Sequence, residues 1–388
     1  MSSRAAALVP CIALVATPAF SGALDRTGQP VSPIFEPGGY VELSFGRAYP
    51  DVSVEQVVGV PTLQQGIVPP GAGSGDLAET FNTVAFAIKR DFTERLSGAL
   101  IYDQPFGGDV AYPSDANYFL AGTTTTVDSN ALTALVRYRA ENGFSVHGGL
   151  RFQTLEGEVR IPFITSTDPA APNFGQPYVN DAARDEGLGF VAGVAYERPE
   201  IALRVALTYS SEIEHRLRTV EDGPLPRIST TLVETPQSVL LDFQTGVAPD
   251  TLLFGSVRWA DWNDFDIEPS AYVVLTGAPI LFYPNDITTY TIGVGRRFTE
   301  RLSGAVSFTY EDQSDDLVTN LNATSGVRAI GLGATYALDQ VEVTGAVQYG
   351  LIGDARTALP DGEGGFFQVS DARDNDVVGF ALQVAYRF

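Results

Sequence analysis

Residues 377–388, VVGFALQVAYRF, alternate strictly between large apolar side chains and small or polar ones. One face of this run holds Val378, Phe380, Leu382, Val384, Tyr386 and Phe388. A period of two predicts a β-strand with one apolar face. The chain stops on this strand with an aromatic residue. A closed barrel gives such a strand a partner, because its last strand pairs with its first and leaves no free edge.

Thirteen earlier runs show the same alternation. They cover residues 40–49, 81–90, 97–104, 131–139, 144–153, 188–196, 201–209, 239–247, 252–262, 288–298, 302–310, 328–338 and 341–351. Lengths of about 9–12 residues suit tilted strands that cross a bilayer. Short turns alternate with long loops between the runs. The sequence therefore predicts an all-β fold, a transmembrane antiparallel β-barrel of about 14 strands. A soluble β-helix or sandwich is the alternative.

The terminal strand is also similar to the assembly signal of bacterial outer-membrane barrels, with Tyr386 and Phe388 as its aromatic residues. This similarity implies a location in the bacterial outer membrane. Barrel-assembly machinery, outer-membrane lipid and lipopolysaccharide are then the expected partners, and we expect a monomer. The motif FTERLSGA occurs at 92–99 and again at 298–305, and both copies fall on a predicted hairpin. We interpret it as one favourable turn used twice.

Residues 5–20 form a long apolar run without a charge, directly after Arg4. The run is short for a membrane-spanning helix, contains prolines and ends in small residues, which predicts a signal peptide over residues 1–21. Cys11 lies within it, so the mature chain has no cysteine and no disulfide. Residues 22–38 have no regular pattern and are rich in Pro and Gly, which indicates a short plug or lead-in segment. The barrel itself then covers residues 39–388.

The formal net charge of −23 argues against nucleic acid as a partner. The acidic residues cluster between the apolar runs, which indicates solvated loops and leaves calcium binding there open. The two histidines, His147 and His215, have no sequence context that supplies a nucleophile. We therefore predict that the chain is not an enzyme, and we expect no metal site and no cofactor.

Four segments resemble the FadL/TodX family of outer-membrane transporters: 24–30 (LDRTGQP), 50–52 (PDV), 102–107 (YDQPFG) and 254–262 (FGSVRWADW). The resemblance implies a fourteen-stranded barrel with an N-terminal hatch that passes long-chain fatty acids or other hydrophobic compounds. The hatch departs from the family, because it has only about 17 residues and holds 35–38 (FEPG) in place of the family's Asn-Pro-Ala motif. The candidate hatch residues are Asp25, Arg26, Gln29 and Pro30.

The family also has a kinked third strand beside the hatch, which leaves a gap in the barrel wall. In this chain the third predicted strand, 97–104, runs into Pro105. Proline has no N–H, so it belongs at an edge, a bulge or a strand end. Either Pro105 simply ends the strand, or Pro105 and Gly98 mark an opening through which a substrate leaves sideways into the bilayer. Both interpretations remain open from the sequence.

Several predicted loops contain apolar runs that a water-filled pore does not need, at 118–120, 161–164, 272–275, 279–283 and 366–367. Contiguous apolar surface outside a membrane indicates either a binding site or a packed loop core. Several such runs on one side of the barrel favour a groove for a hydrophobic ligand. The candidate ligand-binding residues in these runs are Phe119, Phe163, Ile164, Val274, Leu281 and Phe282.

Five arginines occupy the face opposite the apolar one and are predicted to point into the barrel: Arg137, Arg139, Arg151, Arg204 and Arg258. A buried guanidinium needs an anion, and a substrate carboxylate would serve. Arg137, Arg151 and Arg258 are therefore candidate ligand-binding residues. The alternative is a ladder of ion pairs that braces the barrel, with Asp25 and Asp242 as partners.

The leading hypothesis is outer-membrane transport of long-chain fatty acids or similar hydrophobic compounds. A general diffusion porin for polar solutes is the alternative, and an adhesin or phage receptor built from the loops is a third hypothesis. A plugged transporter should conduct few ions, whereas a porin should form a large and stable pore. Fatty acids, aromatic hydrocarbons and lipid signals all fit the sequence pattern as ligands.

Overall fold

The computed structural model describes residues 23–62, 66–162, 176–361 and 363–388. The predicted signal peptide with Cys11 and the loop residues Phe163 and Ile164 lie outside the described residues. Within the described residues, no helix is long and apolar enough to cross a membrane. The helices found there are one α-helix, Ser270–Thr276, and two short 3₁₀ turns, Ser32–Phe35 and Pro199–Ile201.

A closed antiparallel barrel of 14 strands forms the body of the molecule. The strands are β1 (Tyr40–Asp51), β2 (Phe81–Asp91), β3 (Leu96–Asp103), β4 (Thr124–Arg139), β5 (Phe144–Ile161), β6 (Tyr178–Arg198), β7 (Leu203–Ser210), β8 (Ser238–Ala248), β9 (Thr251–Ala260), β10 (Ile287–Arg297), β11 (Leu302–Glu311), β12 (Val327–Leu338), β13 (Val341–Ile352) and β14 (Asp376–Arg387). Each strand pairs with the next, and β14 returns to pair with β1 along its whole length. The predicted fold class is therefore confirmed, and the terminal strand closes the barrel.

The outer surface of the barrel is apolar. Large side chains such as Phe45, Phe86, Leu150, Leu332 and Phe380 point outward and are exposed. Inward positions of the same strands hold mainly small and polar residues. A closed sheet that leaves no edge unpaired and shows a broad apolar belt is stable in lipid rather than in water. The chain is thus an outer-membrane β-barrel.

The two ends of the barrel differ. Short turns join β2 to β3, β4 to β5 and each later even-numbered strand to the next at one end, and long connections lie at the other end. Gly39 and Phe388 meet at the short-turn end, where the Gly39 N–H donates to the Phe388 carbonyl at 3.1 Å and the reverse bond measures 3.0 Å. Outer-membrane barrels place short turns in the periplasm, so the long loops face the outside of the cell.

The repeated FTERLSGA motif forms the same turn twice. Phe92 donates its N–H to the Leu96 carbonyl at 2.8 Å, and Phe298 donates to Leu302 at the same distance in the second copy. The Phe92 ring covers Gly98, where a Cβ would lie 2.8 Å from a ring carbon. The glycine therefore makes room for an aromatic ring at the lipid surface, a known way to cover a glycine in a sheet.

Strands β4, β5 and β6 extend above the membrane beyond their predicted ends. β4 begins at Thr124 rather than at 131, β5 continues to Ile161 rather than ending at 153, and β6 begins at Tyr178 rather than at 188. In the extension of β5, Leu155 and Val159 point inward and are buried, while the alternate positions are polar and face outward. This is the reverse of the pattern in the membrane, because water rather than lipid surrounds the extension. A search for outward apolar faces therefore misses it.

The loops outside the cell form a folded cap. A strand after β3, Gly107–Ala111, pairs with β4, so the long loop predicted between the runs 97–104 and 131–139 is wrong there. The other cap strands lie between the predicted runs, in segments predicted as loops. They are the hairpin Ile213–Asp222 with Arg227–Thr235, the sheet of Val54–Gln56, Phe366–Ala372, Ala355–Pro360 and Leu317–Val318, and the pairs Val60–Thr62 with Gly66–Val68 and Asp266–Ile267 with Leu281–Phe282.

Candidate functional site

Residues 23–39, called here the N-terminal segment, lie inside the barrel. Ile34 is fully buried against inward-facing residues of β2, β3, β4 and β6. The Phe35 ring centroid lies 4.7 Å from the Arg137 guanidinium carbon and 5.0 Å from that of Arg204. The same ring meets His147 edge-on at 5.3 Å. The last turn of the segment therefore fills one side of the lumen near its periplasmic end.

The upper end of the N-terminal segment pairs with the chain that follows β3. The Arg26 N–H donates to the Pro105 carbonyl, and the Gly107 N–H donates to the Leu24 carbonyl, each at 2.8 Å. Together they make one antiparallel β-bridge. A Cβ on Gly107 would lie 2.3 Å from the Arg26 guanidinium carbon, so any larger residue here would displace that side chain.

Ion pairs connect the N-terminal segment to the barrel at three depths. They are Arg258 with Asp25 at 2.6 Å, Arg26 with Asp109 at 2.7 Å and with Asp128 at 3.1 Å, and Arg387 with Glu36 at 2.8 Å. Burial raises the pKa of Asp109, and the adjacent Arg26 opposes that rise. Asp25 and Arg258 are both buried, and removing either one would leave an uncompensated charge. The pairs therefore fix the position of the segment.

The barrel wall is interrupted between β2 and β3. Backbone pairing runs from the periplasmic end up to Phe86↔Tyr102, and within the described residues no further pair joins the two strands above it. Instead, the Val84 N–H donates to the side-chain Oε1 of Gln104 at 2.9 Å. Pro105 follows and has no N–H to offer. The structure thus has a local break in the wall at the level of Val84 and Gln104.

A bulge accompanies this break. Asp103 lies opposite Ala131 of β4, but Gly107 lies opposite Asp128, so four residue steps on one side match three on the other. One extra residue bends a strand locally. The bend and the bridge to the N-terminal segment bring residues 105–107 toward the lumen, beside the break.

An apolar pocket of about 60 Å³ lies at the upper end of the N-terminal segment. Its wall combines Leu24 of the segment, Leu155 and Val159 of β5, Leu217 of the cap hairpin and Leu281 of the loop after the α-helix. These residues belong to one buried apolar cluster. Elements that are far apart in the sequence therefore form one site. Leu24 of the N-terminal segment is the lower wall of this site.

Aromatic rings support the bridge within the same cluster. Trp262 is fully buried, and its ring centroid lies 5.6 Å from Phe106, 5.2 Å from Phe265 and 4.8 Å from Tyr283. Edge-to-face and tilted contacts of this kind add to the burial energy of the rings. The chain at the wall break therefore packs against a buried cluster of aromatic rings.

A larger cavity, of about 310 Å³, lies beside and below the N-terminal segment, and it is called here the polar cavity because many polar side chains line it. It reaches from Glu311 near the extracellular end of β11 to Thr344 near the periplasmic start of β13. Glu42, Asp242 and Gln383 are among its polar lining residues. A cavity with many hydrogen-bonding groups suits water better than hydrocarbon.

The candidate loop residues fall in different places. Leu281 lines the apolar pocket. Phe282 is half-buried and packs on Phe366, with ring centroids 5.1 Å apart. Phe119 is buried in a separate apolar cluster inside the cap. Val274 lies on the outer face of the α-helix and is 67% exposed. Only one of these four residues is part of the pocket wall.

The three candidate arginines are buried inside the barrel. Arg258 binds Asp25, and Arg137 binds Glu197, as the bracing alternative expects. Arg151 donates through Nε to a threonine hydroxyl of β4 at 2.9 Å. None of the three is among the described residues that line the apolar pocket.

The other two arginines differ from each other. Arg204 stacks on Phe35 and lines the polar cavity together with Asp242. Arg139 ends β4 at the periplasmic rim, where it is exposed, and its strand partner is the buried Ser145 of β5.

No family model matches the sequence, and no curated protein matches it either. Among solved structures the chain is similar to a Pseudomonas aeruginosa FadL homologue, with 15% identity and a TM-score of 0.73 over 92% of each chain. The P. putida toluene transporter TodX is similar with 13% identity and a TM-score of 0.63 over 92% of each chain. The Ralstonia pickettii toluene transporter TbuX gives 12% and 0.63, over 96% of this chain and 97% of that one.

The chain has the fold of the FadL and TodX transporters. The resemblance seen in the sequence is thus confirmed at the level of the fold. In this FadL-like barrel, four of the candidate hatch and wall residues lie in two different places. Asp25, Arg26 and Pro105 meet at the bridge beside the wall break. Gly98 instead lies in the paired part of β3, opposite Arg90 and beneath an aromatic ring.

Periodicity alone misses most of the pocket in this FadL-like barrel. Leu24, Leu217 and Ile280 line the pocket and have no strand-like pattern around them that faces lipid. One signal could have revealed part of the wall. In residues 154–161, Leu155 and Val159 alternate with charged and small residues in the opposite sense to residues 144–153. Such an inversion marks a strand that has left the membrane.

Proposed function

We propose that this barrel moves long-chain fatty acids or similar hydrophobic compounds across the outer membrane, with the N-terminal segment as its hatch. The main observation is a direct connection between pocket and wall. Leu24 closes the apolar pocket from below, and its carbonyl holds Gly107 beside the break between β2 and β3. A ligand that displaces Leu24 therefore acts on the bridge at the wall. The toluene transport named for TodX and TbuX supports this proposal.

We propose further that the ligand leaves sideways through the break into the bilayer. Below the pocket it would meet the polar cavity, and each buried CH₂ group that returned to water would lose about 0.8 kcal/mol. Through the wall it would meet lipid, which costs nothing of this kind. Pro105 and Gln104 then form the edge of the opening, and Asp25 and Arg26 control access to it.

A cysteine pair can test the sideways route. Val84→Cys with Gln104→Cys would join β2 to β3 at the break, where the Val84 N–H already contacts the Gln104 side chain at 2.9 Å. Ala87→Cys with Ile101→Cys is the matched control, because these residues already face each other in the paired part of the same strands. Oxidation should block uptake in the first variant and not in the second, and reduction should restore it. Normal uptake through the oxidised first variant would remove this route.

A general diffusion porin is the second candidate, because the polar cavity extends along most of the lumen. Planar-bilayer recording separates the two functions. The hatch-plugged transporter predicts little conductance in the wild-type barrel and a clear increase when residues 23–38 are deleted. A large, stable and ohmic conductance in the wild-type barrel would favour the porin.

A further inference from the structure

We propose that the compound taken up through the apolar pocket is uncharged, and that carboxylate anions are excluded. This inference rests on the proposed function, because it names the substrate class of the same pocket: of the compounds proposed there, it retains the uncharged ones and excludes ionised fatty acids. It also reverses the sequence-based expectation that lumen arginines receive the carboxylate of a fatty acid. Three features of the described residues lead to it: the pocket wall, the partners of the arginines and the charge of the polar cavity.

The pocket wall offers an anion no cation. Among the described residues that line the pocket there is no lysine, arginine or histidine, and the two acidic residues, Glu156 and Glu158, lie at outward positions of β5. A carboxylate that enters an apolar site without a partner loses its hydration and gains no compensating charge. A hydrocarbon that enters the same site gains free energy in proportion to the apolar surface it buries.

The buried amide in the pocket wall is also unsuited to a carboxylate. Asn180 donates through Nδ2 to the Tyr178 hydroxyl at 3.3 Å, and this hydroxyl donates its one hydrogen to Glu221 at 2.8 Å. Because the hydroxyl can only accept from Asn180, the orientation of the amide is fixed. Its Oδ1 is then the atom with no hydrogen-bond partner among the described residues. This acceptor can bond a ligand hydroxyl, but it repels a carboxylate oxygen.

The lumen arginines next to the hatch already bind carboxylates of the protein. Arg258 binds Asp25 at 2.6 Å, and Arg26 binds Asp109 at 2.7 Å and also Asp128. An incoming carboxylate would have to displace a carboxylate that the chain itself holds in place. The guanidinium groups therefore brace the hatch, and the charge of each is already balanced by a carboxylate of the chain.

The polar cavity below carries an excess of acidic groups. Its lining includes six carboxyl side chains against three guanidinium groups: Asp25, Glu36, Glu42, Asp103, Asp242 and Glu311 against Arg26, Arg204 and Arg258. A cavity lined by an excess of one sign of charge disfavours ions of that sign. The downward path thus also offers an anion no excess of positive charge, and the apolar pocket with its wall break remains for an uncharged molecule.

The size of the pocket narrows the class further. Its volume of about 60 Å³ is smaller than the roughly 150 Å³ of an apolar protein cavity that takes up benzene. One aromatic ring or the end of one alkyl chain therefore fits when Leu24 and Leu281 move outward. Small aromatic hydrocarbons and their neutral alcohols match the charge of the site, and they require less widening of the pocket than larger hydrophobic compounds.

Three ligands of similar shape test, on the purified full-length barrel in detergent, whether the pocket excludes carboxylate anions. Equilibrium dialysis at pH 7.5 with labelled toluene, benzyl alcohol and benzoate should show at least tenfold tighter binding of the two neutral compounds. Equal or tighter binding of benzoate would overturn the inference and leave the transport of hydrophobic compounds intact. If none of the three binds, and neither dodecanol nor dodecanoate binds, both the inference and the proposed function are overturned.

A designed cation provides the second test. Leu321→Lys places an ammonium group in the pocket wall, and Ile67→Lys adds the same charge on an exposed hairpin of the cap as the matched control. Benzoate should bind at least tenfold tighter to the first variant than to the wild type, with no change in the control. Heat-modifiable migration confirms folding, and Val110→Lys replaces the first variant if it does not fold. A folded pocket variant whose toluene-to-benzoate preference is unchanged would contradict the inference.

Discussion

The lower and upper halves of β5 share one geometry and have opposite chemistry. In the lower half, Phe144, Val146 and Leu150 point outward and are exposed to the surroundings of the barrel. In the upper half, Leu155 and Val159 point inward and are buried. Side chains alternate with a period of two along the whole strand. What changes between the halves is therefore the solvent outside, lipid below and water above.

The same boundary separates the two cavities. The polar cavity lies beside the lower strands, and the apolar pocket lies among the upper extensions and the cap. The N-terminal segment crosses from one to the other, with Glu36 at the bottom and Leu24 at the top. A hydrophobic ligand that descends from the cap thus meets the hatch where the interior changes from apolar to polar. The break between β2 and β3 opens at this level.

The largest expected effect concerns the closure of the barrel by its last strand, in the lower half of the molecule. Phe388 ends the chain beside Gly39 and stacks on Tyr386 at a ring-centroid distance of 5.9 Å. Deleting Phe388, or Phe388→Asp, should sharply lower the amount of folded barrel in cells, because the last strand then lacks its aromatic end. Heat-modifiable gel migration measures this. An unchanged folded yield would refute the role given to the terminal strand.

The second prediction concerns the hatch at the boundary between the two halves, which the buried pair of Asp25 and Arg258 holds in place. Asp25→Asn leaves the Arg258 guanidinium buried and without its carboxylate, and breaking a buried pair in this way costs about 3–5 kcal/mol. The hatch should then leave its place more often, and ion conductance through the polar cavity should rise. Planar-bilayer recording provides the measurement. Glu94→Gln, which removes an exposed carboxylate in a periplasmic turn, is the control.

Equal conductance of the Asp25→Asn and Glu94→Gln barrels would mean that the buried pair does not hold the hatch. A double variant sharpens the result. Asp25→Asn combined with Arg258→Met removes both charges, so it should conduct less than Asp25→Asn alone.

A matched pair of charges on β5 tests the reversal directly. Leu150→Arg places a cation on the lipid-facing surface near mid-membrane, and a cost of about 2–4 kcal/mol in the free energy of unfolding is expected. Glu158→Arg places the same side chain on the outer face of the upper half, where it meets water, so its effect should stay within about 0.5 kcal/mol. Urea unfolding in lipid vesicles measures both. Similar costs for the two variants would contradict the assignment of the membrane boundary.

The reversal also explains how much could be predicted from the sequence. Each strand that crosses lipid must show an apolar face along its whole length, so all fourteen strands could be read from alternation. The pocket wall obeys no such rule. Phe119 and Val274 lie in apolar runs like that of Leu281, yet one is buried in the cap and the other is exposed. A short apolar run does not reveal which of its sides will face a cavity.

The smallest expected effect belongs to the upper half and depends on pH. His215 of the cap hairpin is fully buried, and its Nδ1 lies 3.5 Å from the Asp185 carboxylate. Burial lowers the pKa of His215, and Asp185 only partly opposes this. The folded hairpin therefore holds the neutral ring, whereas the unfolded hairpin binds a proton near pH 6.5. The hairpin should lose stability as the pH falls below about 6.5, by at most about 1.4 kcal/mol per pH unit.

Hydrogen exchange of the hairpin amides, corrected for the intrinsic pH dependence of exchange, can detect this loss. Protection should decrease between pH 7.5 and pH 5.5 in the wild type, because protonation stabilises only the opened hairpin. His215→Gln cannot bind a proton, so its protection should be the same at both values. If the wild type and this variant respond alike to pH, the buried histidine does not make the stability of the cap hairpin depend on pH.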